Sequence, residues 1–172
     1  MQAHHLQRAV PTVAAFMTKR VLTVYPEMDI FAAIHFLLDH KISGAPVVES
    51  KGSTKLVGML SELECMTVLA NGAYYELPEG TVADYMRTEV VTLSPTTDVF
   101  SVAGKFVHTK GRRLPVVENG HLVGLVSRSD VLRASRLLWD AKAKNVMVDS
   151  GYLSQSLQAH MGYDAVPHLH KT

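Results

Sequence analysis

Four consecutive residues in the second half of the chain, Ser127-Arg128-Ser129-Asp130, bring two hydroxyls, a guanidinium and a carboxylate into one turn. They follow the apolar run Leu122-Val123-Gly124-Leu125-Val126 and precede Val131-Leu132, so they fall where a strand ends and a helix begins. A helix start carries unpaired N–H groups and the positive end of the macrodipole, which makes it a place to hold a polar ligand. Arg112 and Arg113 stand just before the preceding strand, Leu114-Pro115-Val116-Val117. With Arg128 they are either solvated surface arginines or three cations bordering one cleft, and in the second case their donors suit phosphate oxygens. Earlier in the chain Ser61-Glu62-Leu63-Glu64 has the same form, ending in glutamate. Ser-x-x-Glu is also the capping box of an ordinary helix start, the plainer reading of Ser61 and Glu64.

The elements that must position these residues occur twice. An offset of 69 holds without a gap from Val13–Glu49 to Val82–Glu118, and 13 of those 37 paired positions are identical, among them Met17/Met86, Pro26/Pro95, Asp29/Asp98 and Pro46/Pro115. After a longer loop in the first copy, Ser50 to Thr54, the offset becomes 66 and pairs Gly58-Met59-Leu60-Ser61 with Gly124-Leu125-Val126-Ser127. Asn119-Gly120 between two apolar runs predicts a hairpin. In each copy a short helix comes first, capped in the first by Thr12. A short extended segment follows, Val21 to Val24 in the first, stopped by Pro26. Asp29 caps a helix whose spacing places Ile30, Ala33, Ile34, Leu37 and Leu38 on one face. Strands Ala45–Glu49 and Lys55–Leu60 come next, then a helix from Ser61 to about Ala70. In the second copy the helix Asp98–Lys110 carries Gly104 in its interior, which predicts close helix packing there. The last helix opens at Ser127, places Val131, Leu132, Ser135, Leu138 and Trp139 on one side, and extends past the repeat.

Composition narrows the function. Seventeen basic and 16 acidic residues give a net charge of +1, no field for nucleic acid or anionic lipid. No stretch approaches the ~18 apolar residues of a membrane span, and Met1 to Val10 lacks a signal-peptide core, so the expectation is a soluble, cytoplasmic protein. Cys65 is the single cysteine, in an apolar setting that predicts a buried thiol. His160, His168 and His170 lie in a polar tail without a carboxylate cluster, so no metal site is expected. No phosphate-loop, zinc-hydrolase or nucleophile-elbow motif occurs, and no enzyme activity is expected.

The duplicated order of short strand, helix, hairpin and helix, with Pro46-Val47-Val48 and Pro115-Val116-Val117, resembles a tandem pair of CBS (cystathionine β-synthase) domains over about residues 12 to 137. The resemblance extends to the family's ligand motif of Gly, two apolar residues, Ser or Thr, two variable residues and Asp. Gly124 to Asp130 matches it in full, and Gly58 to Glu64 departs at the last position. It implies an α/β (α+β) fold of two β-α-β-β-α repeats packed as one pseudo-two-fold module. The expected segments are an arm (1–11), repeat one (12–70), a linker (71–81), repeat two (82–137) and a partly helical or disordered extension (138–172) containing an amphipathic piece, Tyr152–Met161. It further implies a regulatory module binding AMP, ADP or ATP between the repeats and signalling by conformational change, as a homodimer acting on an effector protein, with no required cofactor, nucleic acid or membrane partner. The alternative is a ligand-independent dimerisation module with degenerate clefts. A short carboxylate at a helix start suits the two hydroxyls of a ribose. The nucleotide site is therefore placed at Thr92, Arg112, Arg113, Leu114, Pro115, Ser127, Arg128 and Asp130, with a weaker cleft at Thr23, Gly44, Ala45, Pro46, Ser61 and Glu64. The dimer surface is placed on Leu63, Met66, Val131, Leu132 and Trp139.

Overall fold

The computed structural model describes residues 10–72, 79–109 and 111–146. Residues 1–9 of the expected arm, the middle of the linker, the segment Tyr152–Met161 and the histidine tail lie outside the described residues. Repeat one contains α1 (Val13–Phe16), α2 (Ile30–Asp39), β1 (Gly44–Val48), β2 (Leu56–Ser61) and α3 (Glu62–Gly72). Repeat two contains α4 (Val82–Tyr85), α5 (Val99–His108), β3 (Arg113–Glu118), β4 (His121–Ser127) and α6 (Arg128–Val146). The expected class of mixed helix and strand in two repeats is the one observed.

Each hairpin is antiparallel, with Gly44 opposite Ser61 and Arg113 opposite Ser127, and both ladders shift register at the same place, Val47/Val48 and Val116/Val117. Asn119 (φ 52°) and Gly120 (φ 82°) make the turn between β3 and β4, where two positive φ values match the twist of the strands. The extended segment before Pro26 contributes a single ladder residue. The Val24 amide donates to the Pro46 carbonyl (3.1 Å) and the Val48 amide to the Val24 carbonyl (2.9 Å), with Leu93 doing the same between Pro115 and Val117.

The two repeats exchange their leading segments. Thr18, after α1, exchanges two backbone hydrogen bonds with Leu125 of β4, both 2.9 Å, and Arg87, after α4, exchanges two with Met59 of β2, also 2.9 Å. The short helices dock crosswise as well: the Val13 amide donates to the Thr97 carbonyl (2.8 Å) and the Val82 amide to the Met28 carbonyl (2.9 Å). Val82 consequently sits in the repeat-one core with Val24, Ile30, Leu37, Val47, Leu60 and Val68. The hairpins also meet at their outer ends, where the Leu122 amide donates to the Thr54 carbonyl (2.6 Å). Neither repeat completes its sheet or its core alone.

The exchange explains Gly58 and Gly124. A Cβ on Gly124 would lie 2.5 Å from the Met17 sulfur, and one on Gly58 would lie 2.9 Å from the Met86 sulfur. Each methionine rides in with the exchanged segment and needs a bare backbone beneath it.

Several expectations change. Leu38 is 66% exposed, because at 100° per residue it falls at the edge of the stripe formed by Ile30, Ala33 and Leu37. Thr12 makes no side-chain cap bond, and Ala15, three residues on, offers no carboxylate to accept from it; the equivalent Thr81 donates to Asp84 from both its amide and its hydroxyl. Gly104 is exposed and a Cβ there would meet nothing within 4 Å, so helix packing does not require it. Val131 is buried with Ala134, whereas the adjacent Leu132 points outward and is 65% exposed, so the two do not share a surface. Asp29 and Asp98 do cap α2 and α5, accepting from the Ala32 amide (2.8 Å) and from the Phe100 and Ser101 amides (both 3.0 Å). α6 runs past the repeat; beyond Ala134 it enters a separate compact unit, within which Arg136 and Asp140 pair at 3.5 Å.

Candidate functional site

Two clefts lie between the repeats, related by the pseudo-two-fold axis. Cleft one (≈ 370 Å³) is bordered by Ser61 to Glu64, Met59 and Met66 of repeat one and by Arg87 and Gly111 to Arg113 of repeat two. Cleft two (≈ 320 Å³) is bordered by Leu125, Ser127, Ser129, Asp130 and Arg133 of repeat two and by Thr18, Arg20 to Leu22, Ile42 and Gly44 of repeat one, with Arg113 also on its wall. Both volumes fall at the lower end of the range for small-molecule sites. A third, more open cavity touches both and is lined by Ser43, Ser127, Ser129, Arg112, Arg113 and Arg128.

The two helix-start carboxylates adopt one posture. In cleft two, Asp130 Oδ2 accepts from the Ser127 amide (2.7 Å) and the Ser127 hydroxyl (2.6 Å), leaving Oδ1 to pair with Arg133. In cleft one, Glu64 Oε2 accepts from the Ser61 amide (2.9 Å) and the Ser61 hydroxyl, and Oε1 pairs with Arg87 Nε at 3.1 Å. Asp130 is therefore a cap as much as Glu64 is, and the aspartate–glutamate contrast does not separate their roles. Their arginines do. Arg87 comes from the other repeat on a segment fixed by two backbone hydrogen bonds, so the Glu64 pair ties the repeats together. Arg133 is three residues along the same helix and its side chain is 71% exposed, so little holds it in place.

Burial alone pushes the Asp130 carboxyl up. Hydrogen bonds from the Ser127 hydroxyl and amide, with the hydrogen bond and charge of Arg133, outweigh this and hold it below the usual aspartate value. It is an anion and an acceptor at neutral pH. Cys65, in the repeat-one core, is pushed the other way by burial first and by Glu64 and Glu62 next, which leaves a protonated thiol.

Arg112, Arg113 and Arg128 do meet on one cavity, the third, and Ser127 and Asp130 meet on cleft two. Leu114, Pro115, Ala45 and Pro46 are buried strand residues that line none of the three cavities, and the Pro46 and Pro115 carbonyls are engaged by Val24 and Leu93. Thr23 and Thr92 line none of the three cavities. The segment ending at Leu22, next to Thr23, borders cleft two, and the segment containing Arg87 borders cleft one; the Thr92 carbonyl accepts from Lys105 Nζ at 3.3 Å. Sequence reasoning missed Arg20, Val21, Leu22 and Arg133 in cleft two and Arg87 in cleft one. The available signal was the pair of motif glycines, which call for a segment crossing over them. Among the described residues no group of three or more His, Cys, Asp or Glu side chains is placed to hold a metal, and no helix is long and apolar enough to cross a membrane.

Comparison with known proteins agrees with this architecture. The chain is 39% identical over 122 residues to the zinc metalloprotease MJ0392 of Methanocaldococcus jannaschii, which covers 71% of this chain but only 31% of that protein. Its fold superposes on CBSX2 of Arabidopsis thaliana in complex with AMP with a TM-score of 0.65, at 29% identity over 74% of this chain and 98% of the other. The CBS domain pair of protein MJ0100, in complex with 5′-methylthioadenosine and S-adenosyl-L-methionine, gives 0.64 at 25% identity over 77% and 99%. The CBS domain model matches residues 13–71 and again 82–137. With both copies matched and their leading segments exchanged across the pseudo-axis, the chain belongs to the CBS domain family as a tandem pair.

Proposed function

We propose that this chain is a non-enzymatic regulatory module that binds an adenosine-containing ligand, AMP, ADP or ATP, in cleft two, with cleft one as a weaker second site. The reading rests on the Asp130 carboxylate, anionic and only 13% exposed at its side chain, with one oxygen held by Ser127 and the other by the displaceable Arg133. A ribose presents two adjacent donors to such an oxygen pair and frees Arg133 to meet the phosphate. Arg20, Arg113 and Arg133 stand against one carboxylate in cleft two, whereas cleft one sets three arginines against two glutamates, Glu62 and Glu64, so the phosphate preference falls on cleft two. Val21, Leu22 and Leu125 supply apolar wall for a purine. Further support comes from similar CBS pairs that hold AMP, or 5′-methylthioadenosine with S-adenosyl-L-methionine.

Because cleft two takes one wall from each repeat, a ligand there favours whichever relative placement of the repeats fits it best, and that population shift is the signal to an effector protein. The exposed Leu63, Met66, Leu69 and Leu132 are apolar helix surface suited to a homodimer in the cytoplasm. A thermal-shift series with adenosine, AMP, ADP, ATP and S-adenosylmethionine tests the reading. A ligand at 100 times its Kd adds ~2.7 kcal/mol of stability, a clear rise in melting temperature. A melting temperature unmoved by all five at millimolar concentration overturns it in favour of an association module with unoccupied clefts.

A further inference from the structure

The pseudo-two-fold axis predicts paired cations, one for each cleft, yet one arginine serves both. Arg113 lines cleft one, cleft two and the third cavity, and its equivalent in repeat one is Gly44. A Cβ at Gly44 would lie 2.8 Å from the Leu60 carbonyl oxygen and 3.0 Å from Ser61 Cα, so repeat one has no room for a second side chain there. Arg113 reaches across instead, its Nη1 donating to the Gly44 carbonyl over 3.4 Å, a long contact that is readily exchanged. The other arginines of cleft one are opposed by carboxylates: Arg87 by Glu64 at 3.1 Å and Arg112 by Glu62 at 3.8 Å. Arg113 forms no ion pair among the described residues. Arg113 is thus the one arginine of cleft one without an opposing carboxylate among the described residues, while cleft two has Arg20 as well, and Arg133 once Asp130 releases it.

We propose that Arg113 couples the two clefts negatively: a phosphate-bearing ligand in cleft two draws Arg113 to itself and weakens cleft one for a second such ligand. The coupling rests on the nucleotide reading given above and is reciprocal, each cleft weakening the other by the same factor. It acts through the phosphate charge, so adenosine, which has none, fills the clefts independently.

The test is a titration of the 172-residue protein with AMP and with adenosine, followed at the methionine methyl resonances, with Met59 and Met66 reporting cleft one. Cleft one is measured with cleft two filled in wild type and with cleft two crippled in Asp130→Ala. The AMP affinity read at Met59 and Met66 is expected to be about 5-fold or more weaker in wild type than in Asp130→Ala, the lower end of ordinary coupling. The gap closes when Arg113→Gln is introduced into both proteins. With adenosine no gap is expected between wild type and Asp130→Ala, a comparison that holds even if Arg113→Gln folds poorly. A gap that persists in Arg113→Gln, an equal gap for adenosine, or no gap for AMP overturns the shared-arginine proposal while leaving cleft-two binding intact. Wild-type protein that binds neither compound overturns the nucleotide reading itself.

Discussion

Replacing Asp130 by alanine is the sharpest perturbation of the ligand reading, because the wild-type carboxylate has two separable duties. One is local: Oδ2 accepts from the Ser127 amide and hydroxyl at 2.7 and 2.6 Å and caps α6. Losing such a cap costs ~0.5–2 kcal/mol of stability. The other is ligand binding, in which the carboxylate accepts two ribose hydroxyls. Hydrogen bonds to a charged group contribute ~1.5–3 kcal/mol each, and releasing the exposed Arg133 pair gives back at most ~1 kcal/mol. The loss on mutation is then ~2 kcal/mol or more, a fall in affinity of at least ~10-fold. Glu64→Ala removes an equivalent cap and also the Arg87 pair that ties the repeats together, so its stability should fall at least as much as that of Asp130→Ala, with the tighter affinity nearly unchanged. Calorimetric titration with AMP and ATP, beside thermal melts of the same proteins, separates the two duties. Wild-type affinity in Asp130→Ala would refute the assignment of cleft two, and an affinity loss confined to Glu64→Ala would move the tight site to cleft one.

The carboxyls of Asp84, Asp98 and Asp130 all lie below the usual aspartate value, Asp84 through hydrogen bonds from Thr81 and Asp98 through those from Ser101. The native state therefore binds fewer protons in acid than the unfolded chain, so the stability they contribute is full above the unfolded pKa of about 3.9 and is lost as pH falls through the lower folded values. Melting temperature should decline through these groups only below about pH 4, less steeply in Asp130→Asn; an unchanged acid slope in that variant would contradict the assignment. Gly124→Ala should cost ~1–3 kcal/mol by overpacking against Met17, whereas Gly104→Ala should gain up to ~1 kcal/mol, and denaturant melts compare the two directly. A homodimer is expected in sedimentation at micromolar concentration, weakened by Leu63→Glu or Leu132→Glu on exposed positions of α3 and α6. A monomeric wild type would remove that surface from the account.

Much of the fold is legible in the chain because its causes are local. The 69-residue offset exposes the duplication, Asn119-Gly120 calls for positive φ at two successive residues, and Asp29 and Asp98 supply oxygens where helix amides lack partners. The hydroxyl-carboxylate cluster at Ser127–Asp130 is likewise a matter of neighbours three residues apart. What the offset cannot decide is which leading segment joins which hairpin, since keeping it and exchanging it obey the same two-fold relation and use the same residues. The tertiary structure chooses exchange, with Thr18 on Leu125 and Arg87 on Met59. That choice puts Arg20 on the wall of the cleft that holds Asp130 and brings Arg87 to Glu64, and it places Arg113 between the clefts where sequence reading had assigned it to one. The burial of Val131 beside an exposed Leu132 was decided the same way, because side chains 100° apart on a helix face different surroundings and only the packed neighbours determine which one is covered.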